Sequence, residues 1–478
     1  MNKRDFIKKS AALSSFILLP SGLWAHSPKI KRYRVRTAHI GVGNMGASDL
    51  EAISSHKKVD VVALCDVDAT HLAAAKQLHP KAKTFSDYRE MLSQMANEID
   101  AVIISTPDHS HAPAAMLAMG MDKPVYCQKP LTHYVSEARA MKKMAIEKGL
   151  VTQMGIQVHS FYDYKLATLL IQSGIIGKVH TVHAWSPKNW GYNGPEPIGE
   201  DVVPDTLDWN LWLGTSEERP YKEEMYHPGN WRKLMDYGCG TLGDMGVHIF
   251  DTPYNALELD VPMTIKNECR EPNGFGYPEN NVVTYEFPPT KHTGETLKWV
   301  WYDGPGAPKD HEDLRLPGAI DNVVSSEPTT EKSMEDKMSL ATKETNDNEL
   351  PEQGAMFIGD KGRLLLPHFM QLPKKIVDNQ YVDITKEIKA IEKANKMGKP
   401  IRDYDLEGPK HYHQFIDACL GTAETTAPFS YASRLTETIL LGVIAGRFPN
   451  QVLHWDSKNA KFAEEEANLY LEGDYRDF

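Results

Sequence analysis

The chain has 478 residues, with 53 Lys+Arg against 65 Asp+Glu for a formal net charge of −12, and 41% hydrophobic residues. This length fits two ordinary domains plus tails, and the composition excludes a disordered or multi-span membrane chain. The acidic balance excludes a general attraction to nucleic acid or anionic lipid.

Residues 1–25 differ from the rest. Lys3, Arg4, Lys8 and Lys9 precede an apolar run from Ala11 to Leu19, followed by Pro20, Ser21, Gly22 and Ala25. This is the pattern of a secretory signal, and its apolar run is shorter than the ~20 residues that span a bilayer. Lys3-Arg4-Asp5-Phe6-Ile7-Lys8 resembles a twin-arginine signal whose first arginine has become lysine. Cleavage would remove four bases and one acid, giving an exported chain near −15 with no membrane contact. The five cysteines (Cys65, Cys127, Cys239, Cys269 and Cys419) are odd in number and widely spaced, and read as core thiols rather than a disulfide framework.

From Val35 to Ile40 the sequence reads as a short buried strand that runs into Gly41-Val42-Gly43-Asn44-Met45-Gly46, with a helical stretch behind it. Strand, glycine loop and helix in that order form a dinucleotide fingerprint, with free helix N–H groups facing a pyrophosphate. A second apolar run, Val59 to Cys65, ends at Asp66, where an acid binds the ribose 2′-hydroxyl and repels the 2′-phosphate of NADP, so NAD is expected. The plainer reading of Asp66 is a helix N-cap. Further strands are expected within Ala101–Pro107, where a buried strand ends in a turn, and at Pro124–Cys127 and Leu150–Met154, with a helix over Val135–Lys148. The alternation predicts an N-terminal Rossmann domain, a doubly wound parallel sheet over residues 33–155.

Ser105-Thr106-Pro107-Asp108-His109-Ser110-His111 and Val125-Tyr126-Cys127-Gln128-Lys129-Pro130-Leu131 resemble the family of glucose-fructose oxidoreductase, inositol dehydrogenase and MocA. That family has Glu-Lys-Pro where this chain has Gln128-Lys129-Pro130, so a carboxylate has become its amide. The resemblance implies cofactor contacts at Gly41, Gly43, Asn44, Met45, Gly46, Asp66, Thr106, Pro107, His109, His111, Gln128, Lys129 and Gln157. It also implies a second domain whose open sheet walls the substrate cleft and joins subunits into a homo-oligomer.

Beyond residue 155 the pattern changes. Strands expected at Lys178–Trp185, Thr264–Cys269, Asn281–Phe287, Leu297–Tyr302, Ala355–Ile358 and Arg363–Leu366 describe an α+β domain over 156–446 with a large, mainly antiparallel sheet. Residues 303–353 read as a surface excursion. Helices over Tyr404–Leu420 and Ser430–Gly446 are expected to close this domain, and 447–478 reads as a tail without recognisable chemistry.

Within the second domain, Gly238-Cys239-Gly240-Thr241-Leu242-Gly243-Asp244-Met245-Gly246-Val247-His248 passes from glycines into a helical pattern that puts Asp244 and His248 four residues apart on one face. On its own this also describes a helix cap and a core histidine. The resemblance implies a catalytic pair: His248 as general acid/base, Asp244 binding a hydroxyl or orienting His248, and Lys129 against the reacting oxygen. No further metal-ligand type stands at ligand spacing near the pair, so no metal is expected. His159, Trp190, Trp231 and Arg232 are expected beside Asp244 and His248 in a carbohydrate cleft, whereas Trp209 and Trp212 read as packing.

The expected activity is NAD-dependent oxidation or reduction of a secondary hydroxyl of a sugar, cyclitol or glycoside, such as C3 of a glycoside, with the cofactor held tightly. The alternatives are an NAD-dependent glycosidase working by transient C3 oxidation and elimination, and a silent sugar-binding protein.

Overall fold

The computed structural model describes residues 33–318, 348–401 and 403–478. The leader and most of the excursion lie outside these residues. Within them no helix is long and apolar enough to cross a membrane.

Six strands form the first sheet: β1 (Val35–Ile40), β2 (Val59–Cys65), β3 (Lys83–Phe85), β4 (Ala101–Ile104), β5 (Val125–Cys127) and β6 (Thr152–Met154). Their order is β3-β2-β1-β4-β5-β6, and every neighbouring pair is parallel. The order reverses between β1 and β4, so a crevice opens at the carboxyl ends of those strands, where a dinucleotide lies in such sheets. All four residues of β4 are buried, as expected of a strand covered on both faces. β3 carries no apolar run, since Lys83 and Thr84 are exposed, and the sequence pattern missed it.

The second sheet has ten strands: β7 (Val179–Ser186), β8 (Thr264–Glu268), β9 (Asn281–Phe287), β10 (Thr293–Asp303), β11 (Gly354–Gly359), β12 (Gly362–Pro367), β13 (Lys374–Val377), β14 (Gln380–Val382), β15 (Val452–Asp456) and β16 (Lys461–Phe462). They run β14-β13-β12-β11-β7-β10-β9-β8-β15-β16. The β7/β10 pair is parallel, while pairs such as β9/β10, β11/β7 and β8/β15 are antiparallel. One face carries Val182, Ala184, Tyr285, Trp299, Trp301 and Phe357 into the main core. There Phe250, on the helix Val247–Ala256, stacks on Trp299 at 4.3 Å between ring centroids. The opposite face carries Trp185, Val300, Tyr302, Met356 and Leu365, covered by Leu314 and Leu316.

Three expectations change. The tail is part of the fold: β15 pairs with β8, Trp455 and Phe462 are buried, and Tyr475 donates to Glu137 Oε1 at 2.9 Å. The helix expected over Tyr404–Leu420 breaks into Tyr404–Glu407 and Pro409–Cys419, because proline at the start of a helix cannot continue the preceding one. Its second part covers the first sheet rather than closing the second domain: Tyr412, Phe415, Ile416 and Cys419 pack with Val35, Ile53 and Tyr126. Finally, the described ends of the excursion are not loose surface, since Leu314 and Leu316 are buried and Pro351 O accepts from Trp185 Nε1 at 2.9 Å.

All five cysteines are free thiols, and only Cys269 is not fully buried.

Candidate active site

The glycine loop begins where β1 ends. Gly41 has φ +79°, and a Cβ there would lie 2.6 Å from Ser105 O, so any side chain would be strained and would clash. A Cβ on Gly46 would lie 2.2 Å from Gly41 O, which is the close helix–strand packing the motif requires. Asp66 Oδ2 accepts from Val42 N–H at 2.8 Å and Oδ1 from Asp68 N–H at 2.9 Å. The carboxylate thus braces the loop, and each oxygen keeps a lone pair for a ribose hydroxyl. The helix cap is Asp68, which accepts from Thr70 N–H at 2.8 Å.

From this loop a cavity of about 950 Å³ runs to the second domain. Gly41, Gly43, Asn44, Met45, Asp66, Thr106, Pro107, Gln128 and Gln157 line its first part. Thr106 Oγ1 is buried there with no hydrogen-bond partner among the described residues. An open cradle too close for side chains and an orphaned hydroxyl fit a dinucleotide. Gly46 stands behind the wall. His109 and His111 do not line the cavity and serve as struts: His109 Nε2 lies 3.0 Å from Trp212 O, and the two ring nitrogens of His111 lie 2.8 Å from Pro130 O and Thr106 O.

Gln128 has a local reason for being an amide. Its Nε2 donates to both oxygens of the buried Asp49, at 3.0 and 2.9 Å, and its Oε1 accepts from Lys129 N–H at 3.0 Å. Asp49 also accepts from Ser105 Oγ at 2.6 Å and Tyr412 OH at 2.7 Å. Burial pushes the Asp49 carboxyl up to about 6 against these hydrogen bonds. A glutamate at 128 would face that carboxylate directly.

At the far end are Lys129, Trp190, Trp231, Arg232, Asp244 and His248. Asp244 and His248 do not share one regular helix. Leu242–Gly246 is a π-helical turn running into the α-helix Val247–Ala256, a wider winding that turns up at functional sites. Lys129 Nζ donates to Asp244 O at 2.9 Å and Asp244 Oδ1 at 2.8 Å, and Trp190 Nε1 donates to Oδ2 at 2.7 Å. Arg232 Nε stands 3.4 Å from Oδ1, and its guanidinium stacks 4.3 Å from the Trp231 ring centroid. Burial would raise the Asp244 carboxyl, but the charges of Lys129, Arg232 and Lys188 hold it well below the usual range, so it is an anion.

His248 is pushed well below the ordinary imidazole value by burial and by Lys129. It is neutral, and its Nδ1 has no hydrogen-bond partner among the described residues. Asp244 therefore does not orient it; that carboxylate is committed to Lys129 and Trp190.

His159 does not reach the cavity. Its Nδ1 is bonded to Asp251 at 2.9 Å, and Tyr431 OH donates to the same carboxylate at 2.7 Å, forming a buried structural triad. Trp209 and Trp212 stack at 4.8 Å in a core cluster, although Trp212 also touches the cavity. Lys410 and His413 are bonded away from the cavity: Lys410 Nζ to Glu407 at 2.6 Å and His413 Nε2 to Ser55 Oγ at 2.7 Å.

Sequence reasoning missed Asp108, Lys188 and His368, all of which line the cavity. Burial raises Asp108 to about 7 and lowers His368 to about 3. His368 stands 6.2 Å from His248 between ring centroids, and Tyr164 OH bonds its Nδ1. It arrives from the end of β12, and nothing in its neighbours marks it. Asp108 lies inside the Ser105–His111 motif, which is the signal that marks it.

Residues 35–156 match the oxidoreductase family's NAD-binding Rossmann fold, and residues 163–275 match that family's C-terminal alpha/beta domain. The chain is similar to inositol 2-dehydrogenase of Salmonella typhimurium, at 27% identity over 195 residues, which is 40% of this chain and 56% of that enzyme. It therefore spans little more than half the length of that relative. It is also similar to a glycosyl hydrolase family 109 protein of Stenotrophomonas maltophilia, at 31% identity over 37% of this chain and 40% of the relative. Among solved structures, myo-inositol dehydrogenase of Lactobacillus casei, in complex with NAD(H) and myo-inositol, has the same fold, with a TM-score of 0.52 at 16% identity over 88% of this chain and 97% of that one. On its two domain matches, its loop and its sheet order, the chain belongs to the Gfo/Idh/MocA oxidoreductase family and its first domain is an NAD-binding Rossmann domain.

Proposed function

We propose that this protein is an exported oxidoreductase that uses NAD to oxidise or reduce a secondary hydroxyl of a sugar, cyclitol or glycoside, with C3 of a glycoside as the favoured position. One observation carries the reading. A single cavity joins the glycine loop to a charged Lys129–Asp244 pair and a neutral His248.

When bound, NAD supplies the hydride acceptor. The chain's own residues handle the proton and the charge. A neutral His248 has a lone pair with which to take the hydroxyl proton. Lys129 Nζ has three N–H bonds, of which Asp244 takes two, leaving one for the substrate oxygen as it becomes an alkoxide. Asp244 fixes Lys129 and Trp190, and Trp190 and Trp231 offer aromatic faces to a sugar ring while Arg232 offers donors to its hydroxyls.

Export is supported by the leader, and outside the cytoplasm a tightly held NAD that is regenerated on a second substrate suits the chemistry. The relatives' sugar and cyclitol names support the substrate class. Association of subunits through the second sheet belongs to the same proposal.

A second reading, NAD-dependent glycoside cleavage by transient C3 oxidation and elimination, is favoured by His368. Elimination needs a base for the C2 proton, and His368 is a second neutral imidazole facing the same cavity. The experiment is to purify the protein, quantify bound NAD, and follow NADH absorbance and aglycone release with nitrophenyl glycosides and free sugars. Lasting NADH or a ketosugar supports the dehydrogenase, and release without net NADH supports the glycosidase. If neither signal appears, both readings fail.

A further inference from the structure

We propose that His183, Asp313 and His311 form a binding site for one divalent transition-metal ion of the zinc type, on the face of the second sheet that carries Trp185 and Tyr302. His183 lies on β7, while His311 and Asp313 lie on the segment that crosses this face just before Leu314 and Leu316 bury themselves in it. The three residues thus come from places 130 residues apart, and no sequence spacing reports them.

The distances carry the argument. His183 Nε2 stands 3.3 Å and His311 Nδ1 3.4 Å from the same Asp313 oxygen, and one ligand atom from each of the three residues lies within 4.8 Å of the others. Zinc bonds of about 2.0–2.1 Å in a tetrahedron put neighbouring ligands about 3.3–3.4 Å apart. The contacts now in place are long hydrogen bonds, His183 Nε2 to Asp313 Oδ2 at 3.3 Å and Asp313 N–H to His311 Nδ1 at 3.2 Å, and a metal would take over the His311 lone pair from that backbone N–H.

The surroundings agree. Tyr302 OH lies 3.0 Å from His183 Nδ1 and the two rings stack, which fixes the imidazole with Nε2 directed at Asp313, as outer hydrogen bonds fix metal-binding histidines. Arg363 is turned to the backbone carbonyls of Asp313 and Arg315, not to the carboxylate. His183 is buried, whereas the side chains of His311 and Asp313 are 40% and 30% exposed, leaving an approach from solvent and a place for water as fourth ligand. The cluster of Asp68, His71 and His227 does not share these features. Its Asp68–His227 contact is an ordinary 3.0 Å hydrogen bond, the other Asp68 oxygen caps a helix, and His71 and His227 line the nucleotide end of the cavity.

The test uses the untagged, chelator-treated whole protein, titrated with Co²⁺ and then Zn²⁺, with bound metal measured by equilibrium dialysis. We expect one equivalent of Co²⁺ with an intense visible spectrum of four-coordinate character, displaced by Zn²⁺, and a thermal transition that rises with Zn²⁺. His311→Ala and Asp313→Asn change partly exposed side chains at the rim of the sheet, and each, with an unchanged circular dichroism spectrum, should weaken binding at least tenfold. A His71→Ala/His227→Ala variant should bind as the parent does. Absence of stoichiometric binding, or binding that persists in both His311→Ala and Asp313→Asn, overturns the proposal.

Discussion

The Asp49–Gln128 contact gives the sharpest test of the cofactor domain. In Gln128→Glu, an acceptor replaces the Nε2 that donates to both Asp49 oxygens at 3.0 and 2.9 Å. Two carboxylates about 3 Å apart at an effective dielectric of 20 repel by about 5 kcal/mol. The alternative is to keep a proton on the pair. Holding a glutamate protonated against a free value of about 4.3 costs about 5 kcal/mol at pH 8 and about 1 kcal/mol at pH 5. Both routes agree at high pH. A carboxyl raised in the folded state stabilises below its unfolded value and loses that stabilisation as pH rises through the folded one, and Asp49 already stands at about 6. The variant should therefore be close to the parent at pH 5 and severely destabilised at pH 8, read as urea midpoints. Asp49→Asn/Gln128→Glu restores one carboxylate and one amide and should recover most of the loss. Equal stability of the single variant and the parent at pH 8, or no recovery in the double variant, would refute the reasoning.

His248→Ala and Lys129→Met should each slow single-turnover reduction of bound NAD by at least about a hundredfold while leaving bound NAD in place; near-normal rates in both would remove the proposed roles. The protein should be acid-labile below about pH 6.5. Buried His39 and His411, held near 3, and His109 and His133, held near 4, take up protons only on unfolding, and each contributes about 1.4 kcal/mol per pH unit between those values and 6.5. The raised carboxyls Asp49, Asp108, Glu137 and Asp303 oppose this but are outnumbered once His183 and His368 are included, so urea midpoints should fall from pH 6.5 to pH 5. Deleting residues 447–478 should yield aggregated protein in size-exclusion chromatography, because it bares β8, removes buried Trp455 and Phe462, and leaves Glu437 without the Trp455 Nε1 donor at 3.1 Å.

The sequence by itself determined what depends on local chemistry. A parallel strand buried on both faces reads as a continuous apolar run, so β4 was legible by itself, whereas β1 and β2 were legible from the glycine loop and the acid they run into, because a tight turn beside a helix start needs glycine and Gly41 to Gly46 and Asp66 could be placed together. Helix Val135–Lys148 could be read to its ends because Gly149, with φ +59°, closes it in a left-handed cap. The site motifs pointed to Lys129, Asp244 and His248, and the fold brings these to one cavity.

Only the tertiary structure decided which groups are partners. It sent Asp244 to Lys129 and Trp190 instead of His248. It drew His159 away to Asp251 and brought His368 in from beyond β12. It also paired Gln128 with Asp49, brought Gln157 and Asp49 to Tyr412 across more than 250 residues, and stitched residues 447–478 into the second sheet. The physical reason is the same in each case. A buried polar group must find a partner, and any residue the packing brings near can supply it, whereas periodicity and spacing report only neighbours along the chain.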